Sequence, residues 1–108
     1  MADAEFMDFL LDQLSPISGL RSKKMFGEYC LFFDNKIVAI ISKDYRIFVK
    51  ANPQTLPLFL AENAEQFHYF AKGKVQKMQK MHYWSIPELA IEEADELVKW
   101  IRLGLQAV

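Results

Sequence analysis

The stretch MFGEYCLFFDNKIVAIISKDYRIFVK, residues 25–50, holds three apolar segments separated by two short polar turns. Aromatic and β-branched residues dominate segments 25–33, 37–41 and 46–50, and these residue types are enriched in strands. Asn35 lies in the first turn and can adopt the positive φ that tight turns require. Strands joined by such short turns pair with their neighbours, so this stretch predicts an antiparallel meander.

The segments on either side of the meander predict short helices. Residues 3–14 repeat apolar side chains about every four positions and stop before Pro16, as an amphipathic helix does. Residues 55–61 predict a second helix with Pro57 in its first turn, where a missing N–H is tolerated.

The C-terminal part of the chain predicts a hairpin followed by a helix. Residues 66–71 and 77–86 have strand composition, and the turn 72–74 between them contains a glycine. A last helix is expected over residues 92–106 or 93–106. Its inward stripe is predicted to contain Ala94, Leu97, Val98, Ile101 and Leu105.

The predicted elements follow the order α-βββ-α-ββ-α. Runs of strands with helices between the runs are typical of α+β proteins, in which helices pack on an antiparallel sheet. The sequence therefore predicts one two-layer α+β domain over residues 1–108 with a five-stranded antiparallel sheet.

Composition indicates a folded protein of a reducing compartment. Of the 108 residues, 52% are hydrophobic and 14% aromatic, which is enough apolar surface to bury a core. The single cysteine, Cys30, cannot form an internal disulfide. The acidic N-terminus lacks the basic region of a signal peptide, and no apolar run approaches the ~20 residues that span a bilayer. These features predict a cytoplasmic protein without a membrane partner.

The net charge of −1 conceals two basic stretches, at residues 21–24 and 72–80. One interpretation is contact with DNA phosphates, if the fold brings the two stretches together. The other interpretation is a solvated surface whose lysines protect a strand edge from aggregation. The candidate nucleic-acid or partner contacts are Arg21, Lys23, Lys24, Lys72, Lys74, Lys77 and Lys80.

Several blocks of the chain follow a family pattern in order and spacing. KKMFGEY at 23–29 is followed by DNKIVAII at 34–41, and FHYF at 67–70 is followed by MHYW at 81–84. The last block is DELVKWI at 95–101. Together they resemble the N-terminal domain of the TfoX/Sxy family of competence-specific gene regulators, in a stand-alone form without the C-terminal domain.

The resemblance covers roughly residues 5–106 and implies both a fold and a role. The implied fold is a two-layer α+β arrangement similar to secretion chaperones. The implied role is that of a non-enzymatic regulator of competence, or DNA transformation, acting with a transcription factor such as the cyclic-AMP receptor protein. Many members have glycine where this chain has Glu28. Long members also carry a C-terminal domain that resembles DNA-binding modules, so DNA contact is expected to be indirect here.

Met25, Phe26 and Gly27 form the family signature. The structural interpretation is that Gly27 lets the strand bend, with Met25 or Phe26 in the core. The functional interpretation is a surface that docks a partner. A second candidate surface is a homodimer or partner face formed by Phe9, Trp100 and Leu103, since these lie on the rim of, or away from, the predicted apolar stripes.

The sequence predicts no catalytic, cofactor or metal site. Cys30, His68 and His82 come from separate segments without a recognised metal-ligand spacing. His82 and Ser85 are three apart on a predicted strand and would face opposite sides. The acidic run at 92–96 fits the first turn of a helix, where the helix dipole favours carboxylates.

Three functions remain open at this level. The first is a regulatory module that acts by protein–protein contact in competence-related transcription, and the second is direct DNA binding through the basic stretches. The third is a chaperone-like homodimer that shields a segment of a partner.

Overall fold

The computed structural model describes residues 4–25, 28–70 and 78–108, with the side chains of 68–70 and 78–81 left out. Its described part is an α+β fold in which six antiparallel strands form one sheet in the order β1-β2-β3-β4-β6-β5. The strands are β1 Leu20–Met25, β2 Glu28–Phe33, β3 Lys36–Ile41, β4 Ile47–Lys50, β5 Gln66–Phe70 and β6 Met78–Ser85. The helices are α1 Ala4–Gln13, α2 Leu56–Leu60, α3 Leu89–Glu92 and α4 Ala94–Gln106.

The predicted meander is confirmed for β2, β3 and β4, which pair in sequence order. Asn35 has a φ of 66° in the turn between β2 and β3, as its side chain allows. The hairpin of β5 and β6, the first helix and the short helix α2 are also where the sequence predicts them.

The prediction of five strands is wrong, because residues 20–25 form an additional edge strand. The predicted strand 25–33 is divided between the end of β1 and the whole of β2, and Met25 pairs with Glu28 across the hairpin. β1 was missed because it carries three cations in six residues and has no fully buried side chain. Phe26 and Gly27 lie outside the described residues, so the expected strand bend at Gly27 stays a prediction.

The predicted last helix corresponds to α4, and a short helix that was not predicted, α3, precedes it. Glu93 has extended backbone angles, φ −115° and ψ 101°, which end α3 and precede the first turn of α4. α3 has only four residues, too few to show a helical period in the sequence. In the predicted inward stripe of α4, Leu97 and Ile101 are buried, whereas the other three members are half-buried.

All four helices contribute buried side chains to one core on one face of the sheet. Met7 and Leu10 of α1, Phe59 of α2 and Ala90 of α3 lie in this core. From α4 it contains Leu97, Trp100 and Ile101, and from the sheet Leu31, Val38, Ala39, Ile41, Ile47 and Val49. None of the helices in the described part of the chain has the length and apolar character needed to cross a membrane.

Gly104 sets how closely α4 approaches the sheet. A Cβ atom at this position would lie 2.7 Å from Cγ1 of Val49 and 2.8 Å from Cγ1 of Val38. Both valines are fully buried in the centre of the core, so neither methyl group has free space to move into. The missing side chain therefore lets the helix backbone lie directly on β3 and β4.

We expect Gly104→Ala to lower the free energy of unfolding by about 1–3 kcal/mol, since overpacking outweighs the gain of about 1 kcal/mol in helix propensity. Urea denaturation measures this difference. The control is Arg102→Ala on the exposed side of the same helix, with an expected change within about 0.5 kcal/mol. A stabilised Gly104→Ala protein would show that the helix can move away from the sheet at little cost.

Candidate functional site: the helix-free face of the sheet

The sheet has a second apolar cluster on the face opposite the helices. Cys30, Ile40, Phe48 and Tyr83 are buried there. Strand pairing places the first three in one row, because Cys30 lies opposite Ile40 and Ile40 lies opposite Phe48. Met25, Phe32, Ile37 and Phe67 are partly buried against the cluster. Among the described residues no helix contributes to it, and we call this surface the helix-free face.

At the β4–β6 end, side chains of the helix-free face cover one another. The guanidinium of Arg46 lies 5.1 Å from the ring centre of Phe48, and the ammonium of Lys50 lies 5.1 Å from that of Tyr83. Phe67 packs edge-on against Phe48, with ring centres 5.0 Å apart. Arg46 also forms an ion pair with Glu65, at 2.5 Å. Cation–π contacts of this kind bury the aromatic rings without a covering helix.

Tyr83 joins two strands that do not pair with each other. Its hydroxyl donates a hydrogen bond of 3.2 Å to the carbonyl oxygen of Ile37 on β3, although β4 lies between β3 and β6. Ile37 lies beyond the last pair that β3 makes with β4, Ala39 with Val49. The phenol therefore extends across β4 and hydrogen-bonds a carbonyl group that has no partner in the β3–β4 pairing.

At the β1–β2 end the helix-free face is open. A groove of about 370 Å³ lies there. Its lining consists of Arg21, Ser22, Lys23, Met25, Phe32 and Asn35. One wall is fixed by a 3.1 Å hydrogen bond from the guanidinium of Arg21 to the side-chain oxygen of Asn35. The groove combines cationic groups with two apolar side chains, Met25 and Phe32, a pairing suited to a ligand that is both acidic and apolar.

Within the described residues, the first basic stretch lies in β1 and Lys80 of the second stretch lies in β6, and these two strands are not neighbours in the sheet. β1 carries Arg21, Lys23 and Lys24 at one edge, whereas β5 forms the other edge. Five strand intervals separate these edges, or about 24 Å at ~4.8 Å per interval. Lys80 lies in β6 opposite His68, with its side chain outside the described set. Three further candidates, Lys72, Lys74 and Lys77, lie outside the described residues.

The predicted dimer face is wrong at Trp100. Its side chain is 3% exposed because it packs against Phe59 of α2, with ring centres 4.9 Å apart. Leu103 is half-buried and packs on the helical core rather than pointing away from it. Phe9 is exposed, as expected, but these three residues do not form one accessible surface.

The residues considered for catalysis or metal binding do not form a site in the described part of the chain. Ser85 is buried, and its hydroxyl accepts a 2.9 Å hydrogen bond from the backbone N–H of Glu65, whereas His82 is exposed. Within residues 4–25, 28–70 and 78–108, no group of three His, Cys, Asp or Glu side chains could hold a metal ion. Asp95 and Glu96 lie in the first turn of α4, as predicted for the acidic run.

Sequence reasoning missed Glu28 as part of this surface. Glu28 follows the family signature and lies on the helix-free face beside the groove that Phe48, Phe67 and Lys43 help to line. Burial raises the pKa of its carboxyl group, and the charge and backbone N–H of Lys43 oppose this only in part. Its Oε2 atom is buried without a hydrogen-bond partner among the described residues. The signal available in the sequence was a charged residue in an otherwise apolar strand.

Cys30 lies in the floor of the helix-free face as a small apolar group. Burial raises the pKa of its thiol to about 11, and the negative charge of Glu28 adds to the effect. Because the thiolate is the reactive form of cysteine, the folded protein protects this residue from oxidation and alkylation. Its 5% exposure is that of a residue packed as a small hydrophobic group.

We expect Glu28→Gln to raise the melting temperature slightly at pH 7. The folded-state pKa of Glu28 lies above its ordinary value of 4.5, so between the two values the folded protein binds more protons than the unfolded chain. Stability then falls as pH rises through this window. The advantage of the variant should disappear below about pH 4, where both states are protonated. A variant that is less stable at pH 7 would contradict this assignment.

We expect Cys30 to react with a thiol reagent at pH 8 at least about 100-fold more slowly in the folded protein than in guanidinium chloride, since two pKa units correspond to that change in thiolate. Cys30 is the only cysteine of the chain, so absorbance from a disulfide reagent reports on it alone. Equal rates in the two solvents would mean that the helix-free face opens readily at Cys30.

Comparison with known proteins supports the resemblance seen in the sequence blocks. A family model described as the TfoX N-terminal domain matches residues 12–108. A relative from Spirochaeta aurantia, described as an uncharacterized 12.7 kDa protein in the trpE 5′ region, is 30% identical over 106 residues. The aligned part covers 98% of this chain and 83% of that relative. The family match runs from the end of α1 through α4 and includes every strand of the sheet, and the chain belongs to the TfoX N-terminal domain family.

Proposed function

We propose that this protein is a non-enzymatic regulator of competence-related gene expression that acts by contact with a transcription factor. Family membership carries the proposal, because the TfoX N-terminal domain is associated with competence. The family resemblance also suggests the partner, a transcription factor such as the cyclic-AMP receptor protein. The proposed site of action is the cytoplasm, where such a partner would be met.

The helix-free face supports contact with a protein rather than chemistry on a small molecule. Its open end joins the apolar side chains of Met25 and Phe32 to the cations Arg21 and Lys23. Protein interfaces commonly have an apolar centre and a polar rim. A partner that covers this groove would remove Phe32 from water and place its own acidic groups beside the cations.

Direct DNA binding is the less well supported alternative. Nucleic-acid binders usually present a continuous basic surface, whereas the described cations of β1 lie at the edge of the sheet opposite β5. The overall charge of −1 also opposes approach to DNA. This alternative predicts binding that falls steeply with salt and is lost in the Lys74→Glu, Lys77→Glu double variant.

The decisive experiment is binding to a competence-promoter fragment with and without the cyclic-AMP receptor protein, across a salt series. We expect the protein to join the complex only when the receptor protein is present. Binding to the DNA alone with a steep salt dependence would instead support the DNA-binding alternative. Absence of binding under both conditions would remove the proposed promoter role.

A pair of variants tests whether the helix-free face makes the contact. We expect Phe32→Ser to weaken receptor-dependent binding about tenfold or more, since loss of a central aromatic contact commonly costs that much. Leu58→Ser on α2 is the matched control, because Leu58 is 51% exposed and lies on the helical side. Circular dichroism should first show that both variants are folded. Equal loss in both variants, or in neither, would place the contact elsewhere.

A further inference from the structure

β1 is an edge strand that is open on one side. It pairs with β2 along its whole length, from Leu20 opposite Phe33 to Met25 opposite Glu28, and it is the terminal strand of the described sheet. Every second N–H and C=O group of an edge strand points away from its neighbour. The outer side of β1 therefore presents a row of backbone groups to which another strand can be added.

The side chains of β1 have a definite pattern across the two faces. Arg21, Lys23 and Met25 lie on the helix-free face, because they are paired with Phe32, Cys30 and Glu28. Lys24 lies on the opposite face. The three cations are exposed, and none forms an ion pair with a described residue. A strand added to β1 would thus meet, at alternate positions of one face, two uncompensated cations and then an apolar group.

Charge opposes a second copy of this chain as the occupant of the edge. In an antiparallel pairing of β1 with a second β1, only residues of the same face lie opposite each other. Arg21 then faces Lys23 when the pair is centred on Ser22, and Lys23 faces its own copy when the pair is centred on Lys23. Like charges directly opposite each other destabilise a strand pair. The same cations stabilise an added strand that carries carboxylates at the facing positions.

The groove indicates that the added strand also carries an apolar side chain, besides its acidic ones. Its volume of about 370 Å³ and its lining by Met25 and Phe32 leave room for a side chain of the added strand. Phe32 is partly buried and forms the boundary between this groove and the closed part of the helix-free face. DNA has no apolar side chain to place there, whereas an extended peptide does.

We propose that β1 binds an extended acidic segment of a partner protein by strand addition. In the antiparallel direction the segment carries an apolar residue opposite Met25, followed at alternate positions by carboxylates opposite Lys23 and Arg21. The added backbone bonds to the outer side of β1, and the carboxylates pair with the two cations. The proposal rests on the proposed protein-contact function and specifies the chemistry of the partner.

The test uses a labelled synthetic peptide, Thr-Leu-Thr-Glu-Thr-Glu-Thr, and fluorescence polarisation with the full chain. We expect saturable binding that weakens with salt. The Arg21→Glu, Lys23→Glu double variant should bind at least about tenfold more weakly. The charge-matched control is the Lys99→Glu, Arg102→Glu double variant on α4. It should bind the peptide as tightly as the unmodified chain does. No detectable binding of the peptide would overturn the proposal.

N-methylated peptides separate strand addition from simple charge attraction. Only every second N–H of an added strand points toward β1, so methylation of one alternate set should abolish binding and methylation of the other should preserve it. Amide NMR shifts in the unmodified protein should change most at residues 20–25. Equal binding of both methylated peptides would overturn strand addition, as would shifts confined to the helices.

Two further results distinguish this proposal from its alternatives. If the peptide fails to bind but the receptor-dependent promoter complex forms, the proposed function stands and the β1 surface is wrong. The second result is that duplex DNA binds β1 through Arg21 and Lys23 whereas the peptide does not bind. In that case the edge is a nucleic-acid contact, and the proposal is overturned.

Discussion

The close packing of α4 on the centre of the sheet is the constraint on which the rest of the structure depends. Gly104 brings the helix backbone against Val38 and Val49, and no larger residue fits without moving one of them. At this distance Leu97 and Ile101 enter the core, and Trp100 reaches Phe59 of α2. One residue without a side chain therefore determines how the helical layer is joined to the sheet.

In the described part of the chain the helices lie on one face, so the other face is protected by side chains of the strands themselves. At the β4–β6 end Arg46 and Lys50 cover the rings of Phe48 and Tyr83. The phenol of Tyr83 adds a hydrogen bond to β3. At the β1–β2 end no described residue gives the same cover, and the groove remains. The open end is thus a consequence of which strands carry long cationic side chains above aromatic rings.

The sequence predicted the central strands well because their apolar residues are needed by both faces of the sheet. In β3 four consecutive residues are buried, and such a run has few alternatives to a central strand. β1 has the opposite character: its burial alternates with exposed cations and none of its residues is fully buried. An edge strand of this kind forms because it pairs with β2. Its own amino-acid composition does not indicate a strand, so the sequence did not predict it.

The candidate site was also difficult to predict, because it depends on how β1 pairs within the sheet. The sequence places Arg21, Lys23 and Lys24 together, and it suggests a common basic surface with the lysines of the second stretch. Strand alternation turns Lys24 to the helical side, and the strand order puts β1 and β5 at opposite edges. Of the first basic stretch, Arg21 and Lys23 remain on the helix-free face, next to Met25 and Phe32. The regular spacing of these side chains along one strand is that of an extended polypeptide, which is the basis of the proposed strand addition.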